Sequence, residues 1–163
     1  MKAIPLALLA LALICVARAA HSEEPDLTKL RCPVSVAAQG KAIYVHKHEV
    51  PIVGADTPTD IVTDELTIVG RDKNVLCFGL TTYARNFHLC GFMGIAQSKS
   101  DGSFLFQEGN GVIRLTILSN SKIRVAPIGD GYRSRCGMYG VIEDATYERA
   151  LQANPSLERT HDR

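Results

Sequence analysis

From Ile61 onward the chain divides into short apolar and β-branched runs, at 61–70, 74–83, 87–97, 103–107, 111–118, 122–128 and 139–143. Turn-forming clusters separate them: Arg71-Asp72-Lys73-Asn74, residues 98–102, Glu108-Gly109-Asn110-Gly111, Ser119-Asn120-Ser121 and Gly129-Asp130-Gly131. Runs of this length between residues that bend the chain specify strands. Strands that recur this often, with short polar turns, describe an antiparallel meander. The expected fold is all-β: a small barrel or sandwich closes such a meander naturally. A further short strand is expected at 42–48, followed by a loop over 51–60. The segment 147–151 has the look of one helical turn.

One hairpin can be read residue by residue. Ile113, Leu115 and Ile117 alternate with Arg114 and Thr116, while Ile123 and Val125 alternate with Arg124 and Ala126. A turn at Ser119-Asn120-Ser121 would set Leu115 opposite Val125 and Ile117 opposite Ile123. Both apolar rows then share one face, and Arg114 and Arg124 face water.

Residues 1–20 read as a secretory signal. Lys2 gives the positive start, 4–16 is an almost unbroken apolar run, and Ala17-Arg18-Ala19 fits the small-x-small cleavage rule. The run is too short for a spanning helix, so no stable membrane anchor is expected. The expected organisation is a signal at 1–19, a mobile lead-in over 20–40, one β domain over 41–150 and a flexible tail over 151–163. Two of the 18 basic residues, Lys2 and Arg18, leave with the signal, so 16 face 17 acidic ones. That balance argues against a nucleic-acid binder, which needs a basic excess.

Of the five cysteines, Cys15 leaves with the signal, and the bulky Ile14 before it does not suit a lipoprotein cleavage site. Cys32, Cys77, Cys90 and Cys136 then meet an oxidising compartment, periplasmic or secreted, where an even number is normally paired. Three pairings are open. Cys90–Cys136 with Cys32–Cys77 is preferred; each closes a loop of about 46 residues, worth on the order of 4 kcal/mol in the chain-entropy model. A zinc site is the alternative, but no pair has knuckle spacing.

Candidate chemistry is sparse. In His46-Lys47-His48-Glu49, two imidazoles two residues apart on a strand share a face and could grip one metal ion, with Glu49 or His88 as a third ligand. The competing role is an exposed, charged strand edge. His88 and Cys90 also share a face, but a bridged Cys90 is no nucleophile. Neighbouring carboxylates at Asp64-Glu65 and Glu143-Asp144 point to opposite faces of a strand, so neither makes a glycosidase dyad. Nucleophile elbows, zincin helices and phosphate loops are missing, and neither a catalytic group nor a cofactor is expected. Arg133, Arg135, Tyr132 and Tyr139 lie beside the Cys136 junction. Residues of these types are enriched at interfaces, and a disulfide-held loop would bind a partner at low ordering cost.

Over 78–149 the chain resembles a set of exported bacterial proteins that carry a polar-His-x-Cys segment and end in Cys-Gly-x-x-Gly. The matching stretches are Asn86-Phe87-His88-Leu89-Cys90 and Arg135-Cys136-Gly137-Met138-Tyr139-Gly140, closed by Asp144-Ala145-Thr146-Tyr147. Such proteins are loosely similar to periplasmic lysozyme inhibitors: small, exported, disulfide-bearing β domains. Two further cysteines often found among them, near 111–118 and near Tyr132, are absent, as fits Cys90–Cys136 as the retained bond. The Ser-Gly-x-x-Tyr signature of membrane-bound lysozyme inhibitors is also absent. Export, a disulfide-held β fold and the absence of catalytic groups lead to the expectation of a monomeric envelope or extracellular protein-binding module, most concretely an inhibitor or immunity-type protein against a wall-degrading (muralytic) enzyme. Two alternatives stand beside it: a metal- or small-ligand-binding barrel using His46 and His48, and a structural envelope component.

Overall fold

Alternating apolar and polar side chains let a strand bury one face and wet the other. The computed structural model describes residues 24–33, 36, 40–52, 54, 59–136 and 142–151, with the side chains of Ser134 and Arg135 left out. Among these residues, eight alternating segments form strands: β1 (Ala42–Pro51), β2 (Thr59–Arg71), β3 (Val75–Ala84), β4 (His88–Ser98), β5 (Phe104–Glu108), β6 (Gly111–Ser119), β7 (Lys122–Ile128) and β8 (Ala145–Arg149). Each pairs antiparallel with the next, and β1 also pairs with β8, so the sheet closes into a barrel. Closure removes the unpaired edges that an open sheet would expose. A single-turn helix, α1 (Arg133–Cys136), lies in the β7–β8 connection. Among the described residues no helix is long and apolar enough to cross a membrane.

The hairpin read from sequence has the expected register: Leu115 pairs with Val125 and Ile117 with Ile123. Leu115 and Val125 are fully buried. Arg114 and Arg124 face out, and Arg124 makes a two-pronged bond to Asp144 at 2.6 Å on each arm.

Two segments differ from expectation. The run at 139–143 supplies no strand among its described residues, Ile142 and Glu143. The helical turn expected at 147–151 is instead the end of β8. Val125 pairs with Ala145, Ile123 with Tyr147 and Val45 with Glu148, so this five-residue strand covers the edges of both β7 and β1. So few residues cannot be assigned by periodicity alone; the need to close the barrel decides.

The core is one apolar cluster inside the barrel, built around Leu66, Leu76, Phe78, Leu80, Phe92 and Ile113. Phe78 meets Phe106 edge-to-face at 5.2 Å between centroids. Gly94, cross-strand from Phe78, is where a Cβ would collide with the Phe106 ring, so its lack of a side chain makes room for the pair.

The preferred cysteine pairing is the one found: Cys32 with Cys77 and Cys90 with Cys136, at Cα separations of 6.1 and 4.6 Å. Both separations suit a disulfide. The two bonds staple different faces. Cys77 alternates with inward Leu76 and Phe78, so it lies on the outer wall, yet it is fully buried. The lead-in covers it. From Glu24 that segment packs on the barrel, with a 3-10 turn at Leu27–Lys29 capped by Asp26, and the Leu27 side chain lies where a Cβ on Gly79 would sit. The lead-in expected to be mobile is thus pinned to the wall over its described part, by a bond and by apolar contact. The expected signal and the expected tail beyond Leu151 lie outside the described residues.

Candidate functional site

Strand registers assemble a polar layer inside the barrel near the β3–β4 turn. His46 pairs with Asp64 across β1 and β2. The Val45–Glu148 pair places Tyr147 beside His46, and the Glu65–Thr81 pair places Thr82 beside Asp64. Thr82 in turn pairs with Cys90. One inner row therefore runs Tyr147, His46, Asp64, Thr82 and Cys90. His48 is two residues further along β1 on the same face, and its ring stacks on His46 at 5.4 Å with planes 14° apart. The His46 ring also lies 5.5 Å from that of Tyr147.

Asp64 is the centre of this layer. It is 4% exposed, and burying an isolated carboxylate costs several kcal/mol. Three groups offset that cost. The Tyr83 backbone N–H donates to Oδ1 at 2.8 Å, the Tyr147 hydroxyl donates to Oδ2 at 3.3 Å, and His48 Nε2 lies 3.2 Å from Oδ1. The last contact is close enough for an ion pair, but its direction does not suit an N–H···O hydrogen bond. Burial pushes the Asp64 carboxyl above its ordinary range, against the pull of the Tyr83 N–H and the His48 ring. Burial, and then the Asp64 charge, push the Tyr147 phenol strongly upward, so Tyr147 stays a hydrogen-bond donor. Thr82 Oγ1 is buried and has no hydrogen-bond partner among the described residues.

The layer opens outward through His48, whose side chain is 13% exposed. His48 lines a recess of about 200 Å³ with Glu49, Tyr83, Arg85 and Glu143. The largely buried imidazole, with the Asp64 carboxylate behind it, is the polar group of the layer that this recess reaches. The nearest sulfur of the row, Cys90, is consumed by its bond to Cys136, which removes the His88–Cys90 nucleophile.

The expected residues divide unevenly. His46 and His48 share a face as the two-residue period requires, but that face is the interior and not an exposed edge. Their partner is Asp64, while Glu49 faces out and His88 is exposed at the start of β4. Stacked rings present their π faces to each other, so their nitrogens do not aim at one ion. Among the described residues no three His, Cys, Asp or Glu side chains are grouped to hold a metal. Tyr132 is 5% exposed and belongs to the core, so it offers no contact to a partner. The reason is local: Gly111 and Gly131 bring the chain around Tyr132 against the β5–β6 turn, leaving no space for a Cβ at Gly131. Arg133 is exposed, with Nε 3.4 Å from Asp130 Oδ1. Tyr139 and the Arg135 side chain lie outside the described residues.

Phe87 is expected to open the strand over 87–97 but stands just outside β4. It ends the 3-10 turn Arg85–Phe87 between β3 and β4, is 47% exposed, and has φ +56, as does Asn86. Asparagine tolerates the left-handed region; a bulky aromatic there is an outlier that costs on the order of 1–2 kcal/mol. The turn packs against β1, and Cys90, three residues past Phe87, is tied to Cys136. Asn86 after a β-branched run was the available signal for the turn. Nothing in the sequence marked Phe87 as exposed.

No protein-family model, curated protein or solved structure matches this chain.

Proposed function

We propose that this chain is an exported protein-binding module, and that its binding surface is the barrel end that carries the Arg85–Phe87 turn and α1. The observation that carries the reading is Phe87: a half-exposed aromatic held at positive φ, three residues from the Cys90–Cys136 bond. Strained backbone persists where the surroundings fix it, and it concentrates at binding sites. An exposed ring on a stapled turn is a natural anchor, because little order is lost when a partner covers it. Arg85 and Arg133 place exposed guanidinium groups at the same end, the second beside Asp130. Those features suit an acidic cleft, and an inhibitor or immunity-type protein against a wall-degrading enzyme is the most concrete version. The paired cysteines fit an oxidising compartment such as the periplasm.

An inhibition panel tests this. Oxidised mature protein is added to lysozyme and other muralytic enzymes, and the loss of wall-degrading activity is measured against dose. Saturable inhibition of at least one enzyme is expected; inactivity against all of them would remove the inhibitor version.

A second reading is favoured by the His48 recess. There a small polar ligand would hydrogen-bond His48, with Asp64 behind it. Ligand-induced shifts of the His46 and His48 ring signals, without change at Phe87, distinguish the two.

A further inference from the structure

The opposite mouth of the barrel, away from the His48 layer, holds two features that plain alternation does not produce. A register shift interrupts β2 between Ile68 and Gly70, and another interrupts β6 between Ile117 and Ser119. Bulges at a barrel rim re-aim the side chains beyond them. In β2 the effect is specific. Ile68 pairs with inward Phe78, and a regular strand would continue that inner row through Gly70 to Asp72. The shift instead sets Arg71 opposite Leu76, which is fully buried. Arg149 reaches the same mouth from β8, two residues beyond inward Tyr147 and paired with inward Tyr44.

Two guanidinium groups thus sit on the inner rows at an open end of the barrel. Between them is a recess of about 220 Å³, with Ile68, Leu76, Ile117 and Ile123 as its apolar lining. Among the described residues neither arginine has an ion-pair partner. The carboxylates nearest in sequence are engaged: Asp72 accepts the Asn74 and Val75 N–H groups at 2.7 and 2.8 Å, and Glu148 binds Lys122 at 2.7 Å. Apolar walls with a few converging polar groups are the usual make-up of a ligand site, and barrel mouths are a usual place for one. Arginine recognises planar anions by paired, charge-assisted bonds.

We propose that this mouth binds a small amphipathic carboxylate, its apolar part against the isoleucine and leucine lining and its head group between Arg71 and Arg149. The volume restricts the ligand to a short acyl chain or a single ring. This site is independent of the binding surface at the other end.

The experiment titrates oxidised protein with octanoate by calorimetry, beside octylamine and 1-octanol, for the wild type and for R71Q, R149Q and the double variant. Both arginines are exposed, so the variants keep the fold, and an unchanged unfolding midpoint checks this. Octanoate should saturate one site at roughly submillimolar concentration, as a ligand of about ten heavy atoms permits. Each single variant should weaken it about tenfold, the double more, and 1-octanol should bind at least about tenfold more weakly. Octylamine should not bind. Failure of octanoate to saturate, equal binding of octylamine or 1-octanol, or a double variant that binds octanoate like the wild type would overturn the proposal.

Discussion

Two layers of the same barrel interior follow one geometric rule and have opposite chemistry. In the first, Leu66, Leu76, Phe78 and Leu80 fill the space with apolar side chains. In the second, along the same inner rows, His46, Asp64, Thr82 and Tyr147 occupy equivalent positions. Strand alternation decides which side chains face inward and is indifferent to what they are. The apolar layer therefore supplies stability, while the polar layer must satisfy its own groups one by one and ties stability to pH.

Substitutions that weigh one layer against the other sharpen this contrast. The largest effect is expected in the apolar layer: Phe78→Ala removes a fully buried ring and its edge contact with Phe106, and should cost about 3–5 kcal/mol in denaturant unfolding. A cost below about 1 kcal/mol would mean that this layer is not the packed core. In the polar layer, Tyr147→Phe keeps the ring but removes the donor to Asp64, and should cost about 1–2 kcal/mol in the same assay. An unchanged midpoint would show that the hydroxyl does not support Asp64.

The pH dependence separates the layers further. With its folded pKa raised, Asp64 binds its proton more tightly in the barrel than in the unfolded chain. Its contribution to stability is therefore fully present below the ordinary carboxylate range and declines as pH rises through the folded value. The surface carboxylates Asp26, Asp72, Asp101, Asp144 and Glu148 are held low by hydrogen bonds. They act in the opposite sense, losing their contribution as pH falls. Asp64→Asn removes only the first trend. Relative to the wild type, the variant should gain stability as pH rises through the carboxylate range, read from urea midpoints at several pH values. A difference independent of pH would refute the burial of an ionisable Asp64.

The smallest stability effect is expected outside both layers. Phe87→Gly relieves a left-handed aromatic at about 1–2 kcal/mol but adds about 0.5–1 kcal/mol of chain entropy, so the midpoint should hold or rise slightly. A clear loss would make Phe87 a structural residue and not a displayed one.

The contrast between the layers also explains what was legible in the sequence. The β6–β7 hairpin could be read to the residue because its apolar rows alternate without interruption. The two cysteine pairs were a preference among three, and the fold selects them by bringing those strands and the lead-in together. His46 and His48 were placed on one face correctly, but period two does not say which face. Polar residues default to water, and only closure of β8 onto β1, with Tyr147 beside His46, turns them inward. Asp64 and Glu65 were rightly placed on opposite faces, and the same default hid that Asp64 is the buried one. Tyr132 misled in the reverse direction, since an amphipathic ring near two arginines reads as surface until Gly131 is seen packing against the β5–β6 turn. Arg71 depends on a register shift that no local pattern announces.

The claim on which the functional reading rests is that the stapled turn displays Phe87 for a partner. Surface plasmon resonance of oxidised wild type and Phe87→Ala over immobilised muralytic enzymes tests it most directly. Saturable binding to at least one enzyme, weakened at least about tenfold in the variant with no loss of folding stability, is the expected result for a central aromatic anchor. Equal binding by the two proteins, or none by the wild type, would contradict it.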